Sequence, residues 1–140
     1  MGEVMSAELA LQKALRDRLT TSGSVTALVP AENILDRNQR PAPDPSIIIG
    51  EGQTFDNGGI ARNRLSVFTN LHVWKRDEAL TGVKLIASVI RTACAIRRLV
   101  LEPGYHCVDC RVASTHFVRD PDGEFSHGIV TLEALVEVAP

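Results

Sequence analysis

The sequence predicts an α+β fold: a mixed or antiparallel sheet of four to five strands, with a long helix and an N-terminal helix packed on one face. Three observations carry that prediction. In the run 62–76, Leu65, Val67, Leu71 and Val73 fall on one parity, with Ser66, Asn70 and His72 between them. That period of two belongs to a strand that buries one face and leaves the other largely polar. After Asp77 the period becomes helical, with Leu80, Val83, Ala87, Ile90 and Cys94 on one stripe, widened by Ile86, Val89, Ala93 and Ile96. Two further alternating runs, 105–119 and 126–139, flank Asp120-Pro-Asp-Gly-Glu124. Proline there fixes one φ and glycine supplies a positive one, so the two runs form a hairpin.

The remaining elements follow in order. Ser6 is placed to cap a helix in which Leu11, Leu15 and Leu19 recur beside Ala14, opposed by Lys13, Arg16, Asp17 and Arg18. Residues 20–24 end it, and 24–29 add one short helical turn before Pro30. Ile34 and Leu35 read as a short extended segment. Three prolines within 41–45 forbid both helix and central strand. Ser46-Ile-Ile-Ile-Gly50 is a β-branched run typical of a buried strand. Residues 51–61 hold three glycines and no periodicity, and read as a long exposed loop between strands. For the long helix, Asp77 is the expected N-cap and Glu78 suits the positive end. Arg97 and Arg98 suit the negative end, and Pro103-Gly104 is the stop. In the hairpin, Val108, Cys110 and Val112 share one parity. Val130, Leu132, Ala134, Val136 and Val138 alternate with Thr131, Glu133 and Glu137.

A length of 140 residues suits a single domain, 1–140. With 44% hydrophobic and 23% charged residues and a net charge of −2, the chain has an ordinary globular balance and no global basic field to attract nucleic acid. The Arg97-Arg98 pair and Arg62 near Arg64 read as solvated surface. No apolar run approaches the length that spans a membrane. The first residues lack the basic-then-apolar order of a secretory signal. Three cysteines speak against a disulfide framework and for synthesis in a reducing cytoplasm.

Motifs that carry chemistry fail on context. His106-Cys-Val-Asp-Cys110, near Cys94 and His116, has the spacing of a metal or thiol site. Inside a strand, however, residues three apart point to opposite faces, and no second ligand pair completes a tetrahedron. No Gly-x-Ser-x-Gly elbow accompanies the Ser, His and Asp residues. The glycines at 50, 52, 58 and 59 lack the following Lys-Ser/Thr of a phosphate loop. Asp120, Asp122 and Glu124 are too closely spaced for a calcium loop. His72 lies on the polar parity, as a surface or interface histidine. Trp74, the single tryptophan, shares that parity with Phe68. It suits either a core or rim anchor or an anchor at a subunit interface, where tryptophan is over-represented.

Several segments together carry a resemblance: Leu11-Gln-Lys-Ala-Leu-Arg-Asp-Arg-Leu19, Val25-Thr-Ala-Leu-Val29, Asn33-Ile-Leu-Asp36, Pro45-Ser-Ile-Ile-Ile-Gly50, Leu71-His-Val-Trp-Lys-Arg76, and the stretch from Phe117 through Asp120-Pro-Asp-Gly to Leu132. In this order they resemble a family of small tail-completion proteins of long-tailed phages, prophages and gene transfer agents, first catalogued as a domain of unknown function. The resemblance covers nearly the whole chain. It implies a tail terminator, a non-enzymatic subunit with no cofactor and no metal. Such a subunit forms a ring, typically a hexamer, at the head-proximal end of the tail tube, stops tube polymerisation and meets the head connector or stopper. DNA passes through that ring without sequence-specific binding. The resemblance further implies that the protein is made in the bacterial host cytoplasm and ends in the tail of the particle.

A ring closes through two different complementary patches on each subunit. Arg62, Arg64, Lys75 and Arg76 border the central strand, and Glu133 and Glu137 lie on another, so these strands offer opposite charges. The expected 51–61 loop, with Phe55, Asp56 and Asn57, is a candidate for contact with a neighbour or the tube. With His72 and Trp74 these make the interface candidates. The cysteine-rich 105–110 segment departs from the family. A head-completion or adaptor protein of the same particle is the alternative, and a small metal- or thiol-dependent enzyme built on His106, Cys107, Cys110 and His116 is a third reading.

Overall fold

Ser6 Oγ accepts the Leu9 amide at 3.1 Å and opens α1, Ala7–Thr21, in a computed structural model that describes residues 6–38 and 42–139. One orphan amide of the first turn is thereby satisfied. Ala7, Ala10, Leu11, Leu15 and Leu19 form the buried stripe of α1, as their spacing predicts. A one-turn α2, Gly23–Thr26, and a 3₁₀ turn, Ala31–Asn33, lead into β1, Ile34–Leu35. Five longer elements, one of them a helix, follow: β2 Ser46–Asp56, β3 Arg64–Arg76, α3 Thr81–Ala95, β4 Tyr105–Arg119 and β5 Phe125–Val138. Part of the expected proline segment, residues 39–41, lies outside the described residues, as do 1–5 and 140.

The sheet has five strands in the order β1-β2-β3-β5-β4. The β1–β2 pair is parallel and the others are antiparallel, so the sheet is mixed. α1 and α3 pack on one face of it. Beneath them lies a continuous core of Leu15, Leu19, Val25 and Val29 with Ile47, Ile49, Leu71 and Val73, Val83, Ile86 and Ile90 of α3, and Val130 and Leu132. A second cluster joins Ala7 and Leu11 to Val67, Leu99, Cys107, Ala134 and Val136. In β2, β3 and β5 the residues of the two buried sets keep to one parity of their strand, which is why the period-two pattern foretold the covered face.

Four local expectations change. The segment 51–56 is strand rather than loop, and the true loop is only 57–63. β2 continues through a bulge between Ile49 and Gly52, after which Gly52, Gln53, Thr54, Phe55 and Asp56 pair with Thr69 to Leu65. Glycine lowers intrinsic strand preference, but here it is required: a Cβ on Gly52 would lie 2.5 Å from the Phe68 carbonyl oxygen. β3 begins at Arg64, because Arg62 sits at φ 51°, in the turn.

α3 starts at Thr81 and not after Asp77. The Asp77 carboxylate accepts the Ala79 amide at 3.0 Å, which closes a turn instead of a helix. At its other end α3 stops at Ala95, well before Pro103-Gly104, leaving Ile96 70% exposed. Arg97 and Arg98 do not serve the helix end. Arg18 of α1 does, its guanidinium donating to the carbonyls of Ala93, Arg97 and Arg98 at 2.8, 2.9 and 3.0 Å. A cation at the negative helix end is what the dipole favours, here supplied across the fold.

The 120–124 turn is as predicted, with Gly123 at φ 77° and its amide donating to the Asp120 carbonyl at 2.9 Å.

Candidate assembly surface

The other face of the sheet carries no helix. The residues that reach it are those paired across β3 and β5: Arg64 with Glu137, Ser66 with Leu135, Phe68 with Glu133, Asn70 with Thr131, His72 with Ile129, and Trp74 with His127. Phe55 and Gln53 extend it along β2, and Arg111, Ser114 and His116 along β4. Most of these side chains along β3 and β5 are half-buried, because they cover one another rather than being covered.

Their bonds run across the strands. Arg64 pairs with Glu137 at 3.3 Å, Arg111 with Glu133, and Arg76 with Glu124 at 3.6 Å. Thr131 Oγ1 donates to Asn70 Oδ1 at 2.7 Å. Phe55 and Phe68 meet edge to face with centroids 5.7 Å apart. Arg64, Arg76, Glu133 and Glu137 were expected to offer opposite charges to a neighbour. They also pair within the chain, and Arg111, which that reasoning missed, pairs with Glu133.

Of the interface candidates, Phe55, Arg64, His72, Trp74, Arg76, Glu133 and Glu137 come together on this open face. Three do not. Asp56 is exposed at the end of β2 on the other parity, where its Oδ1 accepts the Gly58 amide at 2.9 Å. Asn57 donates to Ser66 Oγ at 2.7 Å, and Arg62 lies in the adjoining loop. At the tip of that loop Ile60 is fully exposed.

The most organised part of the face is a four-residue array. His72 Nε2 lies 2.6 Å from Glu51 Oε1, and His72 Nδ1 lies 2.8 Å from His127 Nε2. The His127 ring in turn stacks on Trp74, with centroids 3.8 Å apart and planes 7° from parallel. The β2 bulge lets Glu51 reach this face. Gly50 leaves room for the His72 ring, whose Cδ2 a Cβ would approach to 2.7 Å. The bond to His72 holds the Glu51 carboxyl below its ordinary value. Burial, and then the neighbouring His72, push His127 below the usual histidine value. The array borders a cleft of about 490 Å³, closed on its far side by Asp36, Arg37 and Asn38. His127 and Glu51 were not singled out in the sequence. The only signal was the parity that His127 shares with Glu133 and Glu137.

The cysteines are placed differently from expectation. A bulge in β4 between Cys107 and Asp109 inserts Val108, so Cys107 faces Val136 and Cys110 faces Ala134. Both therefore point to the helix-covered face, not to opposite faces. Burial pushes the Cys107 thiol up, and its bond to Cys94 together with burial does the same for Cys110. Raised thiols are poor nucleophiles. Among the described residues no group of three His, Cys, Asp or Glu side chains is arranged to hold a metal ion. No helix among them is long and apolar enough to cross a membrane.

Residues 13–137 match the family model described as tail completion protein gp17. Two solved structures share the fold. A chain of the virion of a native gene transfer agent particle superposes with a TM-score of 0.83 at 18% identity, covering 96% of this chain and 99% of that one. The gp17 protein of bacteriophage SPP1 gives a TM-score of 0.61 at 21% identity, covering 91% of this chain and 89% of that one. No curated protein matches by sequence.

Proposed function

This chain belongs to the tail completion protein gp17 family, and from that premise we propose that it is a tail terminator. It is a structural component of a phage-like tail and not an enzyme. In the proposed role, copies close into a ring, six in number, at the head-proximal end of the tail. One side of the ring caps the tube protein and ends its polymerisation, and the other receives the head connector. DNA passes through the opening without being read. Assembly takes place in the bacterial host cytoplasm.

The observation that supports this reading is the helix-free sheet face, aromatic and half-buried, across which charges and amides are already paired. Such a face offers shape and apolar area with few unpaired charges to desolvate, which is what a subunit contact needs. A second, different patch on each copy would close the ring heterologously.

The test is assembly. Native mass spectrometry and electron microscopy of particles carrying the tagged protein would show a discrete ring at the head–tail junction. Phe55→Asp, which sets a charge on the face at a half-exposed position, should leave a folded subunit that no longer assembles, with tails of uncontrolled length. Localisation inside the head would favour the adaptor reading. An unchanged assembly of Phe55→Asp would remove the open face from the interface.

A further inference from the structure

The Glu51–His72–His127 array obeys a proton count that its geometry imposes. The Glu51 carboxylate only accepts, so the 2.6 Å contact requires a proton on His72 Nε2. With His72 neutral, its Nδ1 is then an acceptor, and His127 Nε2–H must donate across the 2.8 Å gap. With His72 protonated, Nδ1–H donates and His127 must present a bare Nε2, its proton moving to Nδ1. A cation on both rings would set two N–H groups against each other over that same bond.

We propose that Glu51, His72 and His127 form a one-proton lock on the open sheet face. The array keeps its shape with no added proton or one, and comes apart when a second arrives. Because it ties β2, β3 and β5 together beside Trp74, acid loosens this surface and, on the terminator reading above, releases the subunit contact made there. The groups that set the response face the array from all sides. Asp120 and Glu51 favour the cation on His127. His72 and His116 oppose it. Asp36 and Arg37 line the cleft with opposite signs. Burial is the largest resistance and holds His127 below the ordinary histidine range.

Trp74, the chain's single tryptophan, is the built-in reporter, since a protonated imidazole stacked on indole quenches its emission. Emission of the full chain, titrated from pH 8 downward, should fall at a pH below the ordinary histidine range. His72→Gln, which removes the competing cation, should move that fall back towards the ordinary range. His127→Gln should abolish it. A transition that is the same in His72→Gln, or that survives in His127→Gln, overturns the lock. Imidazole nitrogen shifts of the unmodified protein provide a check that needs no variant: at high pH His72 must be the Nε2–H tautomer, and an Nδ1–H tautomer refutes the proposal. These readouts stand whether the protein is a ring or a monomer. A normal titration with no acid release of assembled rings would refute only the interface role.

Discussion

The two faces of one sheet solve opposite problems with the same strands. On the covered face Val67, Leu71, Val73, Val130, Leu132, Ala134 and Val136 are at most 3% exposed and lie under α1 and α3. On the open face, the residues between them bond to their own cross-strand neighbours: Arg64 to Glu137, Asn70 to Thr131, His72 to His127. The covered face stores stability through dehydration of aliphatic area. The open face leaves a pre-formed, largely self-satisfied surface whose free energy is still available to a partner. A strand with one parity for each environment separates the dehydrated core from this self-paired surface without a further element.

Breaking the covered face should have the largest effect. Leu71→Ala removes a fully buried side chain from the middle of the sheet and should lower unfolding free energy by about 2–5 kcal/mol. Urea denaturation measures this, and a loss near zero would mean that the helices do not set the stability. Next is Arg18→Met, which keeps the stem but frees three carbonyls at the end of α3. A loss of about 2–3 kcal/mol is expected in the same assay, with fraying after Ala93 visible by amide exchange.

Gly52→Ala probes the point where one face bends into the other. The Cβ meets the Phe68 carbonyl, so about 1–3 kcal/mol of strain is expected, with the β2–β3 register disturbed in NMR spectra. Acid sharpens the contrast. His127 and Glu51 both titrate below their ordinary values of 6.5 and 4.5, so the unfolded chain takes up protons first as pH falls. Their stabilisation is present above those ordinary values and is lost as pH drops through the folded ones. Thermal melts should therefore decline with acid, and His127→Gln should flatten the upper part of that decline. The smallest effect belongs to Arg111→Ala. Its pair with Glu133 is solvent-exposed on the arginine side, and stability should change by less than about 1 kcal/mol.

Much of this was legible in one dimension. The parity of Leu65, Val67, Leu71 and Val73 identified the covered face, and the same parity placed His72 and Trp74 on the open one. The 51–56 segment was not legible. Gly52, read locally with Gly58 and Gly59, argues for a loop, and only the backbone of Phe68, approaching too closely for any side chain at 52, explains it. Cys107 was misplaced for a related reason, since one inserted residue, Val108, reverses parity and leaves no mark in composition. His127 gained its importance from register alone, being set opposite Trp74 by the β3–β5 pairing.

The sequence by itself determined the element order, the α+β class and which face of the central strand is apolar. These depend on periodicity and turn chemistry, which act over a few residues. Tertiary structure alone decided where strands bulge, that Arg18 closes the end of α3, and that Glu51, His72, His127 and Trp74 meet. Each of those is a contact between segments distant in the chain, 75 residues apart for Arg18 and Ala93 and 55 for the two histidines. Local propensity carries no information about such meetings. They are chosen by the packing of the whole core, which selects the one register that buries it.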